Sequence, residues 1–216
     1  MKKIVKQVVG IDVAQKELVV CLGKMYDDWT PELYASKTFS NSAKGFEFLI
    51  QWLSKLTDVS TPLRFVMEAT GVYHESLAYY LENRELEVSI ITPNKISNYA
   101  RTLNVKTVTD KTASEAIALF GLERNLDKWK RSNPLFKKLR QLSRERDQLV
   151  QARTTAKNQL HAELAEAEPN STSVVRIKKQ IAFFNKQELE IRSEIMALSK
   201  QDEKVTGSIK IICSLP

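Results

Sequence analysis

VVGIDVAQKELVV, residues 8–20, sets one acid, Asp12, inside an apolar run and starts a second apolar run after a short polar link. Both runs are rich in β-branched residues. The link, AQKE at 14–17, has hairpin length, so residues 5–13 and 18–23 read as two paired strands. A buried carboxylate without a partner is costly, so Asp12 calls for either a counter-charge or a chemical task.

The pattern continues outward from this hairpin. Residues 27–32 (DDWTPE) read as a turn and 34–39 as a third strand. Asn41 or Ser42 can cap a helix over 43–56, in which Phe46, Leu49, Ile50 and Leu53 keep helical spacing. Residues 63–69 read as a fourth strand behind Pro62. A helix follows over 74–84, with Leu77, Tyr80 and Leu81 on one side. Residues 88–92 read as a fifth strand stopped by Pro93, and 95–103 and 114–122 as helices. Three consecutive strands followed by alternating helix and strand predict a mixed sheet with helices on its faces. That order matches the ribonuclease-H-like fold, although composition alone does not select it from other α/β folds.

Downstream the chain reads as all helix. Leu135, Leu142, Leu149 and Ala156 recur every seven residues, beside a companion row of Leu139, Arg146, Arg153 and Leu160. Glu168-Pro169-Asn170-Ser171 breaks the pattern. A second seam then runs through Val174, Ile177, Ile181, Phe184, Ile191, Ile195 and Leu198, with Glu188 as its polar position. These features predict an antiparallel coiled-coil hairpin or a dimerising arm. The expected organisation is an α/β domain over 1–125, a basic helical region over 126–204, and the start of a truncated further domain over 205–216. The last expectation rests on SIKIICSLP, which begins an apolar element and stops.

The chain has 216 residues and a net charge of +7. Residues 1–110 carry 13 basic and 13 acidic side chains; residues 111–216 carry 20 and 13. Residues 124–157 alone carry 11 basic against 3 acidic. A neutral first half joined to a basic stretch points to a polyanion, most simply nucleic acid, with a solvated helix face as the alternative. The basic candidates for contact are Lys130, Arg131, Lys137, Lys138, Arg140, Arg144, Arg146 and Arg153. For Arg146 and Arg153 the competing reading is that both lie at the edge of an imperfect seam. Nearer the sheet, Tyr73 is placed to stack on a base, and Asn94, Lys95 and Lys106 to meet phosphates. A packed Tyr73 and solvated lysines are equally consistent with the sequence.

No window approaches the ~18 unbroken apolar residues of a membrane span. The start, MKKIVKQVVGID, lacks an apolar signal-peptide core. Cys21 and Cys213 suggest no disulfide framework, and His74 and His161 have no partner at zinc-ligand spacing. These features read as a cytoplasmic protein in a reducing compartment. Gly71 alone makes no nucleotide-binding loop.

Asp12, Glu68 and Asp110 stand at element ends, far apart in sequence. Converging at one sheet edge, such acids would suit two-metal phosphoryl chemistry, in which carboxylates hold two Mg²⁺ or Mn²⁺ ions about 3.5–4 Å apart. Three long segments carry a family resemblance: GIDVAQKEL, FVMEATGVYHESLAYYL and ITPNKISNYARTLNVKTVTDKTASEAIALFG. Over about residues 5–125 the chain resembles the DEDD-type insertion-sequence transposases, a family that includes Piv-type DNA invertases and bridge-RNA-guided recombinases. The resemblance implies a RuvC-like domain with four metal-binding acids, and Asp12, Glu68 and Asp110 match the first three. It implies a serine-containing second domain, DNA and a structured guide RNA as partners, and oligomerisation through the helical region. The fourth acid should fall at 113, where the chain has Ala113. An Asp there would share a helix face with Asp110. The departure predicts weakened Mg²⁺ or Mn²⁺ binding and an inactive form; engineering and natural decay are the alternative origins. A free-standing metal-dependent nuclease or junction resolvase, and a non-catalytic RNA- or DNA-binding oligomerisation module, are the competing readings.

Overall fold

The structure is a computed structural model that describes residues 2–69, 71–103 and 109–200. It divides into two compact units, Met1–Arg131 and Ser132–Pro216. The expected domain start over 205–216 lies outside the described residues, as does Lys106.

The first unit is built on a five-stranded sheet. Its strands are β1 (Ile4–Val13), β2 (Glu17–Tyr26), β3 (Pro31–Ser40), β4 (Leu63–Glu68) and β5 (Glu87–Ile91), and their spatial order is β3-β2-β1-β4-β5. The short links between the first three strands allow only antiparallel pairing, and β1–β2 and β2–β3 are antiparallel. Parallel neighbours need crossovers, which α1 (Ala43–Leu53) and α2 (Glu75–Glu82) supply for β1–β4 and β4–β5. The mixed, ribonuclease-H-like sheet order predicted from the strand pattern is the order found.

Alternation along β1 sorts its side chains between two faces. Val9, Ile11 and Val13 enter a core with Phe46, Leu49 and Leu53 of α1 and Leu77 and Leu81 of α2. Val8 joins a second, smaller core with Val66, Ile96 of α3 (Pro93–Thr102) and Ile117 of α4 (Asp110–Glu123). Gly10 and Asp12 share Val8's face by the same alternation.

Several boundaries differ from the sequence reading, each for a local reason. Helix α1 ends at Leu53 rather than 56, where the Ser54 amide closes on the Ile50 carbonyl and Leu56 is left exposed. Pro93 both ends the strand region and opens α3, since a first-turn proline has no amide to satisfy. Helix α4 starts at Asp110, four residues before the expected 114. Thr109 caps it by accepting from the Thr112 amide at 3.2 Å, while its own amide donates to the Thr112 hydroxyl at 2.8 Å. Residues 126–131 belong to the sheet unit: the Trp129 amide donates to the Val88 carbonyl at 2.7 Å.

The second unit holds two long helices, α5 (Pro134–Leu164) and α6 (Ser171–Ser199), joined by a turn whose Asn170 caps α6. They pack antiparallel: Lys138 pairs with Glu194 at 2.9 Å and Arg146 with Glu188 at 3.4 Å, while Arg153 reaches Asn185 at 3.1 Å. Leu142 and Ala156 of α5 and Val174 and Ile191 of α6 are buried.

Candidate acidic site

Close backbone packing decides where the acids go. A Cβ on Gly10 would fall 2.7 Å from the Ala118 Cα of α4; one on Gly121 would fall 2.7 Å from the Val8 side chain and 2.9 Å from that of Val66. Helix α4 therefore descends as β1 ascends. Asp110, Ser114 and Ala118, spaced by four, form one helical stripe, and Ser114 and Ala118 lie on Gly10. The stripe's first member, Asp110, thus reaches the end of β1 where Asp12 stands. Strand β4 runs parallel to β1 with Ile11 opposite Met67, so Asp12 and Glu68 leave adjacent strands at one level. Val66, two residues before Glu68, faces Gly121, which puts Glu68 on the α4 side of the sheet.

Asp110 and Glu68 both act on Asp12. Asp12 is half-buried, and burial, then Asp110, then Glu68 push its carboxyl from 3.8 up to about 6, while a bond from the Val13 amide pulls the other way. Like charges at one sheet edge disfavour full ionisation unless a cation joins them. Among the described residues, no three acidic, histidine or cysteine side chains stand close enough together to hold a metal ion between them. Hard carboxylate oxygens are nonetheless the donor type that Mg²⁺ and Mn²⁺ take.

Ala113 opens onto a cleft of about 570 Å³ that Glu68 also borders. Asn94, Ser97 and Arg101 of α3 line one wall; Thr112, Ala113 and Ala116 of α4 line the other. The methyl of Ala113 supplies no ligand to this space.

The remaining sequence candidates scatter. Tyr73 is 41% exposed, and its carbonyl accepts from the Asn41 side chain at 3.2 Å. Lys95 faces away from the acids, into a separate cleft of about 660 Å³ with Asn98, Tyr99 and Arg124. Lys130 is exposed. Arg131 pairs with Glu82 at 3.1 Å and stacks on Tyr79 at 4.1 Å. On α5, Lys138 pairs with Glu194, and Arg146 and Arg153 both pair with Glu188, which is only 4% exposed. Burial pushes the Glu188 carboxyl up, but Arg153 and Arg192 outweigh it and hold the group below its ordinary value. Lys137, Arg140 and Arg144 share a different stripe of α5, and Arg140 and Arg144 are exposed. Sequence reasoning missed Arg101. Its signal was the spacing of Asn94, Ser97 and Arg101, three and four residues apart on one helix.

A five-stranded mixed sheet of this order, with acids at the ends of its central strands, is a ribonuclease-H-like domain. The chain belongs to the IS110-type DEDD transposase family, which it matches over residues 9–169. It is similar to the pilin gene-inverting proteins of Moraxella lacunata and Moraxella bovis, at 31% identity over 153 residues. The match covers 69% of this chain and 46% of each relative, so the chain spans about half the length of the curated relatives it matches. Among solved structures it is similar to T. thermophilus RuvC in complex with a Holliday junction substrate, with a TM-score of 0.42, 10% identity, and coverage of 57% of this chain and 99% of that one. The fowlpox virus Holliday junction resolvase gives a TM-score of 0.40 at 11% identity, covering 54% of this chain and 98% of the resolvase. Among the described residues no helix is long and apolar enough to cross a membrane.

Proposed function

We propose that this chain is the nucleic-acid-binding, metal-dependent part of a transposase or site-specific DNA recombinase. The observation that carries this reading is the nearness of Asp110 and Glu68 to Asp12 at one edge of the sheet. Drawn together round a cation, those three carboxylates would hold Mg²⁺ or Mn²⁺, which when bound would polarise a phosphoryl oxygen. The chain's own residues provide the anionic donors, hold Asp12 half-buried, and leave a cleft beside Glu68. Lys137, Arg140 and Arg144, on the stripe of α5 away from Glu188, are the basic residues best placed for DNA or a structured guide RNA. The helical unit is the natural site of self-association. Strand exchange would also need the serine of a second domain, as the family resemblance implies.

A second reading, a non-catalytic nucleic-acid-binding and oligomerisation module, is favoured by Ala113, which removes an expected ligand from the cleft. Fluorescence anisotropy with labelled duplex DNA, with and without Mn²⁺, separates the two. The metal-dependent reading expects salt-sensitive binding that Mn²⁺ strengthens in the wild-type chain and not in Asp12→Asn. Binding indifferent to Mn²⁺ in both proteins selects the module. A wild-type chain that binds no nucleic acid overturns both.

A further inference from the structure

We infer that Arg101 anchors a phosphodiester group of a bound nucleic-acid strand in the cleft beside Glu68, an inference that rests on the functional reading above. Arg101 lies in the last turn of α3 and is exposed. Among the described residues it forms no ion pair and no side-chain hydrogen bond. Among the described residues it is the cationic side chain that lines the cleft with Glu68. A strand approaching Asp12, Glu68 and Asp110 carries phosphates into a field of three carboxylates. That approach needs a compensating cation on the far wall, and a guanidinium is the group best shaped for it, because its planar fork donates to two phosphate oxygens at once.

The cleft is built to admit such a strand. Its volume, about 570 Å³, falls in the range of clefts that hold small organic groups. Asn94 and Ser97 share Arg101's stripe of α3, adding neutral hydrogen-bonding groups along the same wall. The opposite wall is small: Thr112, Ala113 and Ala116 leave space between the helices. Lys95, on the other side of α3, lines a different cleft and cannot substitute.

The test uses the full chain and two probes, a labelled DNA duplex and an RNA duplex of the same sequence. Binding of each is measured across a salt series for wild type, Arg101→Gln and Arg101→Lys. Arg101→Gln is expected to weaken binding about tenfold and to lower the slope of log affinity against log salt by about one, the signature of one lost phosphate contact. Arg101→Lys is expected to keep the slope and lose only part of the affinity, because the charge remains while the fork is gone. A loss on DNA, on RNA or on both supports the inference and identifies the strand that fills the cleft. An unchanged slope for Arg101→Gln on both probes overturns it, whether or not the affinity falls. Wild-type binding to neither probe overturns the functional reading itself, a failure distinct from normal wild-type binding with an indifferent Arg101.

Discussion

The Ala118 Cα of α4 lies 2.7 Å from where a side chain on Gly10 would begin. This approach sets the height of α4 over β1, and with it the meeting of Asp110 and Asp12. Replacing Gly10 by alanine must therefore separate helix from strand, because the obstacle is backbone and cannot swing aside. Gly10→Ala is expected to cost about 3 kcal/mol, at the upper end of overpacking effects. Chemical denaturation checks it; a loss below about 0.5 kcal/mol, the size of an ordinary surface change, would show that the two elements move apart freely.

Asp12 makes stability depend on pH. Its folded-state carboxyl titrates at about 6 against 3.8 for the free group, so the folded chain holds this proton over a range in which the unfolded chain has lost it. The sign of this one group's contribution is negative with rising pH: its penalty is absent below about pH 4 and grows as pH climbs through about 6. Asp12→Asn removes the penalty. At pH 7 the variant is expected to be more stable by about 1 kcal/mol, a figure reduced for solvent screening of a half-exposed group. At pH 4 the two proteins should melt together, and a gap of equal size at both values would exclude titration as its cause.

Ala113→Asp adds a carboxylate to the cleft that Glu68 and Arg101 also line. An added anionic oxygen should raise Mn²⁺ affinity by about tenfold, measured by calorimetry, since bound cations follow the local charge. Unchanged affinity means that position 113 is not a ligand position.

In the helical unit, Arg153→Leu and Glu188→Leu should differ. Removing Arg153 leaves Glu188 almost sealed from water with a weaker set of cations. Removing Glu188 frees arginines that are 37% and 22% exposed and can turn outward. Arg153→Leu is expected to lower the melting temperature of the helical signal by several degrees, and Glu188→Leu by less. The reverse order would mean that the arginines, not the carboxylate, limit the packing.

Sequence alone determined the strand framework and the candidate acids. Alternation with period two is visible in any strand with a buried face, so the 8–20 hairpin and the strand ending in Glu68 were legible from residue types. The seam position of Glu188 was legible for the same reason, with a period of seven. Helix ends were less so: Thr109 and Thr112 form their capping box with two threonines, and the usual glutamate cue is absent. Residues 126–131 carry no periodicity, and only Trp129 bonding to Val88 shows that they belong with the sheet. Tertiary structure alone decided which charges face which space. Lys95 and Arg101 sit on one short helix with similar surroundings in sequence, yet line different clefts. Arg146 and Arg153 read equally as contacts for a polyanion and as the edge of an imperfect seam until α6 brought Glu188 against them. A side chain's direction depends on how its helix is rotated against its neighbours, and that rotation is set by long-range packing such as Ala118 on Gly10, which no local pattern encodes.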